Sequence, residues 1–204
     1  MRTKDYQASI RDMFQEIFRN EPEATAQVEW RVMASVQGIY CPKVDVAVGP
    51  YSTDRGQTKQ FVYDRILDHH TDLLNALIEA HNLNLREHNG PRAQVSFNDV
   101  FNGNRNGRCM IAVEIEREVS RKHQMGGYIN TGAIGRVGLA VAWNTTMLKS
   151  FIRMAGYFEF LQSVGKRSFI SPNVLILDAE QLHEILKVYS QKQTKRAHSL
   201  ILNG

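Results

Sequence analysis

Three acidic residues stand in apolar surroundings that do not suit them. Asp45 lies in the run Lys43-Val-Asp-Val-Ala-Val48, and Glu114 and Glu116 lie in Cys109-Met-Ile-Ala-Val-Glu-Ile-Glu116. Both runs are short and rich in β-branched residues, as buried strands are. Side chains alternate along a strand, so Glu114 and Glu116 share one face while Ile111, Val113 and Ile115 take the other. Like charges held together on a strand face cost free energy unless a cation offsets them. Lys43 shares a face with Asp45, but a neighbour two residues along the same strand is a poor sole partner. A divalent ion of the Mg²⁺ type binds one or two carboxylates together with waters and phosphate oxygens, and supplies the missing charge. Such an ion activates water and stabilises an anionic transition state, which are the needs of phosphodiester hydrolysis. The plainer alternative is that these acids cap strand ends and face water.

The surrounding elements decide whether the acids can meet. Ile10, Met13, Phe14, Ile17 and Phe18 recur at helical spacing over residues 5–20, and Pro22 ends that helix. A strand over Val28–Val36, a turn at Gly38 and a second strand ending at Gly49-Pro50 read as a hairpin. Phe61–Ala80 carries one apolar side and predicts a single amphipathic helix. Asp68, His69, His70, Asp72 and His81 sit on or near it without metal-ligand spacing, which favours a solvated polar face. Residues 82–108, rich in Asn, Gly and Arg, read as an excursion between core elements, where Arg92, Arg105 and Arg108 can touch phosphates. A plain solvated loop is the other reading. After the strand bearing Glu114, Ser120 is placed to cap a helix that Gly135 stops, and Val137–Trp143 forms the next strand. Strand, helix, strand makes those two strands parallel neighbours. A helix from Met147 to about Val164, a strand over Val174–Leu177 and a helix capped by Asp178 complete the order. A basic, then apolar tail over about 190–204 either docks or frays. The pattern predicts one α/β domain over 1–204, a mixed central sheet flanked by helices.

Composition narrows the classes. The 43% hydrophobic content over 204 residues supplies a full core, and a net charge of +4 is compatible with a polyanionic partner without demanding one. Cys41 and Cys109 lack zinc or disulfide spacing. No run is long and apolar enough for a membrane span, and the first residues lack a secretory core, so a cytoplasmic protein is expected. Gly132-Ala-Ile-Gly135-Arg-Val-Gly138 mimics a dinucleotide loop but follows a helix and precedes a strand, the reverse of what a phosphate site needs. The glycines Gly126, Gly127 and Gly132 weaken that helix and suggest close packing on the sheet or on DNA.

In element order and in two short motifs, residues 5–143 without the excursion resemble the PD-(D/E)xK nuclease superfamily, the restriction-endonuclease-like fold. The family core is a helix, a three-stranded meander, a helix and a strand. Its metal-binding Asp follows a Pro on the second strand, and its (D/E)xK triplet lies on the third. Here Pro42-Lys43-Val44-Asp45 stands for the first motif and Glu114-Ile115-Glu116 for the second, with Glu116 in place of the Lys. The resemblance implies a Mg²⁺-dependent deoxyribonuclease, with Mn²⁺ as substitute, in which Asp45, Glu114 and the carbonyl of Ile115 ligate the ion. Glu116 acts as a further ligand or as general base. Lys122 either supplies the displaced positive charge or belongs to a surface basic patch with Arg117, Arg121 and His123. Those residues, with Arg105 and Arg108, would hold nucleic acid, with DNA the expected substrate. Gln124 either reaches the site or is solvated, and Glu16 offers a further carboxylate or lies at the surface. A homodimer is compatible with cutting both strands. The alternative is a member of the same fold that binds nucleic acid or protein without cutting.

Overall fold

The computed structural model describes residues 2–32, 41–53, 59–90, 94–118, 120–166 and 172–202, with side chains to 195. Five strands form one sheet in sequence order: β1 (Ala26–Arg31), β2 (Lys43–Val48), β3 (Cys109–Glu116), β4 (Gly135–Ala142) and β5 (Val174–Asp178). β1 and β3 both run antiparallel to β2, and β3, β4 and β5 are mutually parallel. The protein is therefore α/β with a mixed sheet, and helices cover both faces.

One face carries Ile111, Val113, Ile115, Val137, Leu139, Val141, Leu175 and Leu177 against α1 (Thr3–Ile17), α2 (Gln60–His69), α3 (Thr71–Glu87) and the last helix, α7 (Ala179–Leu202). The other carries Ala140, Ala142, Val174 and Ile176 against α5 (Arg121–Ile134) and α6 (Thr145–Ser163). This two-sided burial explains why β4 reads as a continuous apolar run rather than an alternating one. Arg136, the exception in that strand, is fully buried; it donates to Asp64 at 2.6 Å and lies over the Phe101 ring.

The helix expected over Phe61–Ala80 is two helices. It breaks at His70, where the Thr71 hydroxyl takes the Asp68 carbonyl at 2.8 Å and competes with the backbone ladder. The second piece runs on to Glu87, so residues 82–87 are not part of an excursion. Residues 97–103 form a further helix, α4 (Phe97–Gly103), with a reciprocal cap between Ser96 and Asp99. His81 is not solvated: it is buried, and its Nδ1 accepts the Ile176 N–H at 2.9 Å while Asn84 donates to the Ile176 carbonyl at 3.0 Å. Two side chains of α3 thus satisfy the open backbone of the edge strand β5. His69 instead meets Glu21, and His70 lies edge-on to Phe18, so the histidines do not converge. The outer part of the expected strand Val28–Val36, the turn at Gly38, and Arg92 lie outside the described residues.

The β3–α5–β4 unit follows the expected course. Ser120 caps α5 by accepting from the His123 N–H, α5 ends at Ile134, and β4 starts at the next residue. Close approach of helix to sheet depends on a strand glycine: a Cβ on Gly138 would come within 2.8 Å of the Thr131 backbone. Gly126, in contrast, faces open space, and Gly127 lies against Glu114 at ordinary contact distance. Asn144 caps α6 by accepting the Met147 N–H. Among the described residues no helix is long and apolar enough to cross a membrane.

Candidate active site

Register brings the acids together. β2 pairs with β3 through Val48–Ile111, Ala47–Ala112 and Val46–Val113, so the next step sets Asp45 across from Glu114. The backbone ladder stops there. In its place the Asp45 side chain accepts the Ile115 N–H on Oδ2 at 2.7 Å, and the Gln7 amide of α1 on Oδ1 at 2.7 Å. A strand residue sends its N–H and C=O out on the same side, so the Ile115 carbonyl also faces Asp45.

The same register adds an acid that the sequence reading passed over. Val28 pairs with Val46 and Trp30 with Val44, which sets Glu29 of β1 across from Asp45. Glu29 has φ of +54°, an uncommon conformation for a non-glycine residue, and ion-pairs with Lys43. Glu29, Asp45 and Glu114 therefore form a row across three adjacent strands. Lys43, expected beside Asp45, is drawn to the outermost member of the row.

Asp45, Glu114, Ile115 and Glu116 line a cleft of about 530 Å³ whose opposite wall is α5, through Lys122, His123, Gly127 and Asn130. Burial is the main influence on Glu114 and pushes its carboxyl up to about 8; the charge of Asp45 adds to this, and a hydrogen bond with Asn130 opposes it. Asp45 is also raised, chiefly by burial, while the Ile115 N–H and Gln7 restrain the shift. The two carboxyls act on each other, and their titration belongs to the pair. Glu116 uses one oxygen to accept the Glu118 N–H at 2.9 Å, partly capping the strand end.

The remaining residues separate. Lys122 and His123 stand on the cleft, and among the described residues Lys122 makes no ion pair. Arg121 faces a different groove, between α5 and α6. Arg117 lies 4.1 Å from the Trp143 ring centre and donates to Thr3, outside the cleft lining. Arg108 precedes the first residue of β3, roughly 20 Å along the strand from Glu114. Arg105 pairs with Asp64 at 3.6 Å beside the buried Arg136, so neither residue is brought to the acids. Gln124 is buried under α6, where it accepts the Ser150 hydroxyl, and does not reach the cleft. Glu16 bonds Arg19 and Thr194; Gln7 is the α1 side chain at the site. A Gln on the inner side of the first helix carries no signal in one sequence, whereas Glu29, an acid between Val28 and Trp30, repeats the pattern that singled out Asp45.

Compared with known proteins, the chain matches no family model, no curated protein and no solved structure. Geometry alone therefore carries the functional reading. Among the described residues no three of His, Cys, Asp and Glu converge as a ready cage for a metal. What the cleft offers is a two-carboxylate arrangement, which suits an ion that keeps its waters.

Proposed function

We propose that this chain is a Mg²⁺-dependent endonuclease of restriction-endonuclease-like fold that hydrolyses phosphodiester bonds in DNA. The observation that carries the reading is the pairing of Asp45 with Glu114 across β2 and β3, on one cleft, with a buried charge demand that no basic side chain in the strands meets. The sheet order supports it: α1, then antiparallel β1, β2 and β3, with α2, α3 and α4 inserted between β2 and β3, then α5 and the parallel strand β4, with the acids on the second and third strands.

Asp45 and Glu114 would hold the ion, with the Ile115 carbonyl and Glu116 as further oxygen donors; Mn²⁺ fits the same set. When bound, Mg²⁺ supplies Lewis-acid stabilisation of the phosphorane-like transition state and lowers the pKa of a water. The protein does the rest. Gln7 and the Ile115 N–H fix the orientation of Asp45. Glu114, protonated more readily than an ordinary carboxyl because it is buried, would hold a cation in its ionised form, which positive charge favours. The Glu116 oxygen left free by the Glu118 bond accepts the proton of the attacking water. Lys122, on the opposite wall, draws the scissile phosphate by charge, which makes binding salt-sensitive.

The test is cleavage of plasmid and single-stranded DNA, and of RNA, by wild type, Asp45→Ala and Glu114→Ala, with Mg²⁺, Mn²⁺ or chelator. Divalent-dependent nicking of DNA that both substitutions abolish is the expected result. A wild type that binds DNA with strong salt dependence but cuts nothing under any of these conditions would replace the nuclease with a binding protein.

A further inference from the structure

α5 and α6 both run back against the parallel strands they connect, and a groove of about 420 Å³ lies between them. Arg121, Gln124 and Met125 stand at i, i+3 and i+4 on α5, and Ser150, Arg153 and Tyr157 at i, i+3 and i+7 on α6. Residues at those spacings share one side of a helix, so each helix gives the groove one strip of side chains. No acidic residue lines it. Among the described residues neither Arg121 nor Arg153 makes an ion pair, which leaves two guanidinium charges on a small concave surface.

Gln124 is only 1% exposed. Its oxygen accepts the Ser150 hydroxyl at 2.6 Å, while its amide nitrogen, also buried, has no partner. A buried donor left unpaired costs the free energy of taking it out of water and gains nothing in return. An acceptor atom in the groove would meet it. Because the oxygen is engaged, this side chain offers a ligand donors alone.

These features fix a ligand class. Two guanidiniums without a carboxylate match about two negative charges, which a phosphomonoester carries near pH 7 and a single carboxylate does not. Inorganic phosphate would leave the exposed Tyr157 ring, Met125 and the Gln124 donor unused. A flat ring with acceptor atoms on its edge uses all three: Tyr157 stacks on it, the Met125 thioether packs against it, and Gln124 donates to its edge. The groove volume falls in the range of small-molecule sites.

We propose that the α5–α6 groove binds a free nucleoside monophosphate. Arg121 and Arg153 hold the phosphate, and the base lies on Tyr157 with an edge acceptor at the Gln124 amide. The proposal does not rest on the endonuclease reading, because no residue lines both this groove and the acid cleft.

Isothermal titration calorimetry in chelator, with AMP and UMP as probes, tests it without any cleavage. At least one of the two is expected to saturate a single site. Its nucleoside, and inorganic phosphate, should each bind at least tenfold more weakly. Arg121→Gln, Arg153→Gln and Tyr157→Ala should each weaken the nucleotide at least tenfold, with circular dichroism and Tm unchanged because all three side chains are exposed. Asp45→Ala should bind as wild type does. Failure of both nucleotides to bind would overturn the proposal, as would inorganic phosphate binding as tightly, or affinity that survives the three groove substitutions. Binding abolished by Asp45→Ala would assign the nucleotide to the acid cleft and overturn it equally.

Discussion

Replacing Glu114 with Gln should make the metal-free protein more stable at alkaline pH, and the size of the gain follows from the cleft. In the fold, burial and the Asp45 charge hold the Glu114 carboxyl at about 8, against an ordinary value of 4.5. Below pH 4.5 the group is protonated in both folded and unfolded chains and costs nothing. Between 4.5 and 8 the unfolded chain ionises while the fold keeps its proton, so stability falls as pH rises, by up to about 1.4 kcal/mol per pH unit. Above 8 the penalty is complete, with a ceiling of about 5 kcal/mol. Gln keeps the shape and can still bond Asn130, but it does not titrate. Urea unfolding in chelator from pH 5 to 9 should therefore show wild type losing stability on the order of kilocalories while Glu114→Gln stays much flatter. Adding Mg²⁺ at pH 8 should restore wild type, since an ion that binds only the folded state stabilises it, and leave the variant nearly unmoved. Parallel pH profiles for the two proteins in chelator would refute the reasoning.

Other expectations concern the frame. Asp64→Ala leaves the fully buried Arg136 without its carboxylate and should cost about 3 kcal/mol in chemical unfolding, part of which Arg136→Met in the same chain should return. Gly138→Ala drives a methyl group against the Thr131 backbone and should cost about 2 kcal/mol or more, read as a lower Tm. Gly126→Ala meets nothing within 4 Å and should raise stability by about 1 kcal/mol through helix propensity, measured by the same unfolding curve. Ser120→Ala removes the α5 cap and should cost about 1 kcal/mol, with faster hydrogen exchange in the first turn of α5.

Much of the fold is legible in the sequence because its core is two-sided. Apolar runs, a serine cap and a stopping glycine define β3, α5 and β4, and the crossover rule fixes their parallel pairing. Parity alone places Glu114 and Glu116 on one face. Three things were hidden for physical reasons. The meeting of Glu29, Asp45 and Glu114 depends on strand register, which is set by pairing between distant segments and not by periodicity. The roles of His81 and Gln7 depend on tertiary partners, a β5 backbone amide and the Asp45 carboxylate, that no local pattern encodes. Residues 82–108 looked irregular because α4 is under two turns long, too short for amphipathic spacing to stand out; the Ser96–Asp99 box was its one readable mark. Arg105 and Arg108 illustrate the limit of charge reading, since a basic cluster in sequence says nothing of which end of a strand it occupies.

The far end of α5 is tied in an unusual way. The side-chain amides of Asn104 and Asn173, from two separate connections, both donate to the carbonyls of Gly132 and Gly135 at 2.9–3.1 Å, and β4 begins with no residue between. The opposite end is held as well, by the Ser120 cap and by Gln124, which accepts the Ser150 hydroxyl of α6, so the wall carrying Lys122 and His123 is pinned at both ends against the sheet that carries the acids.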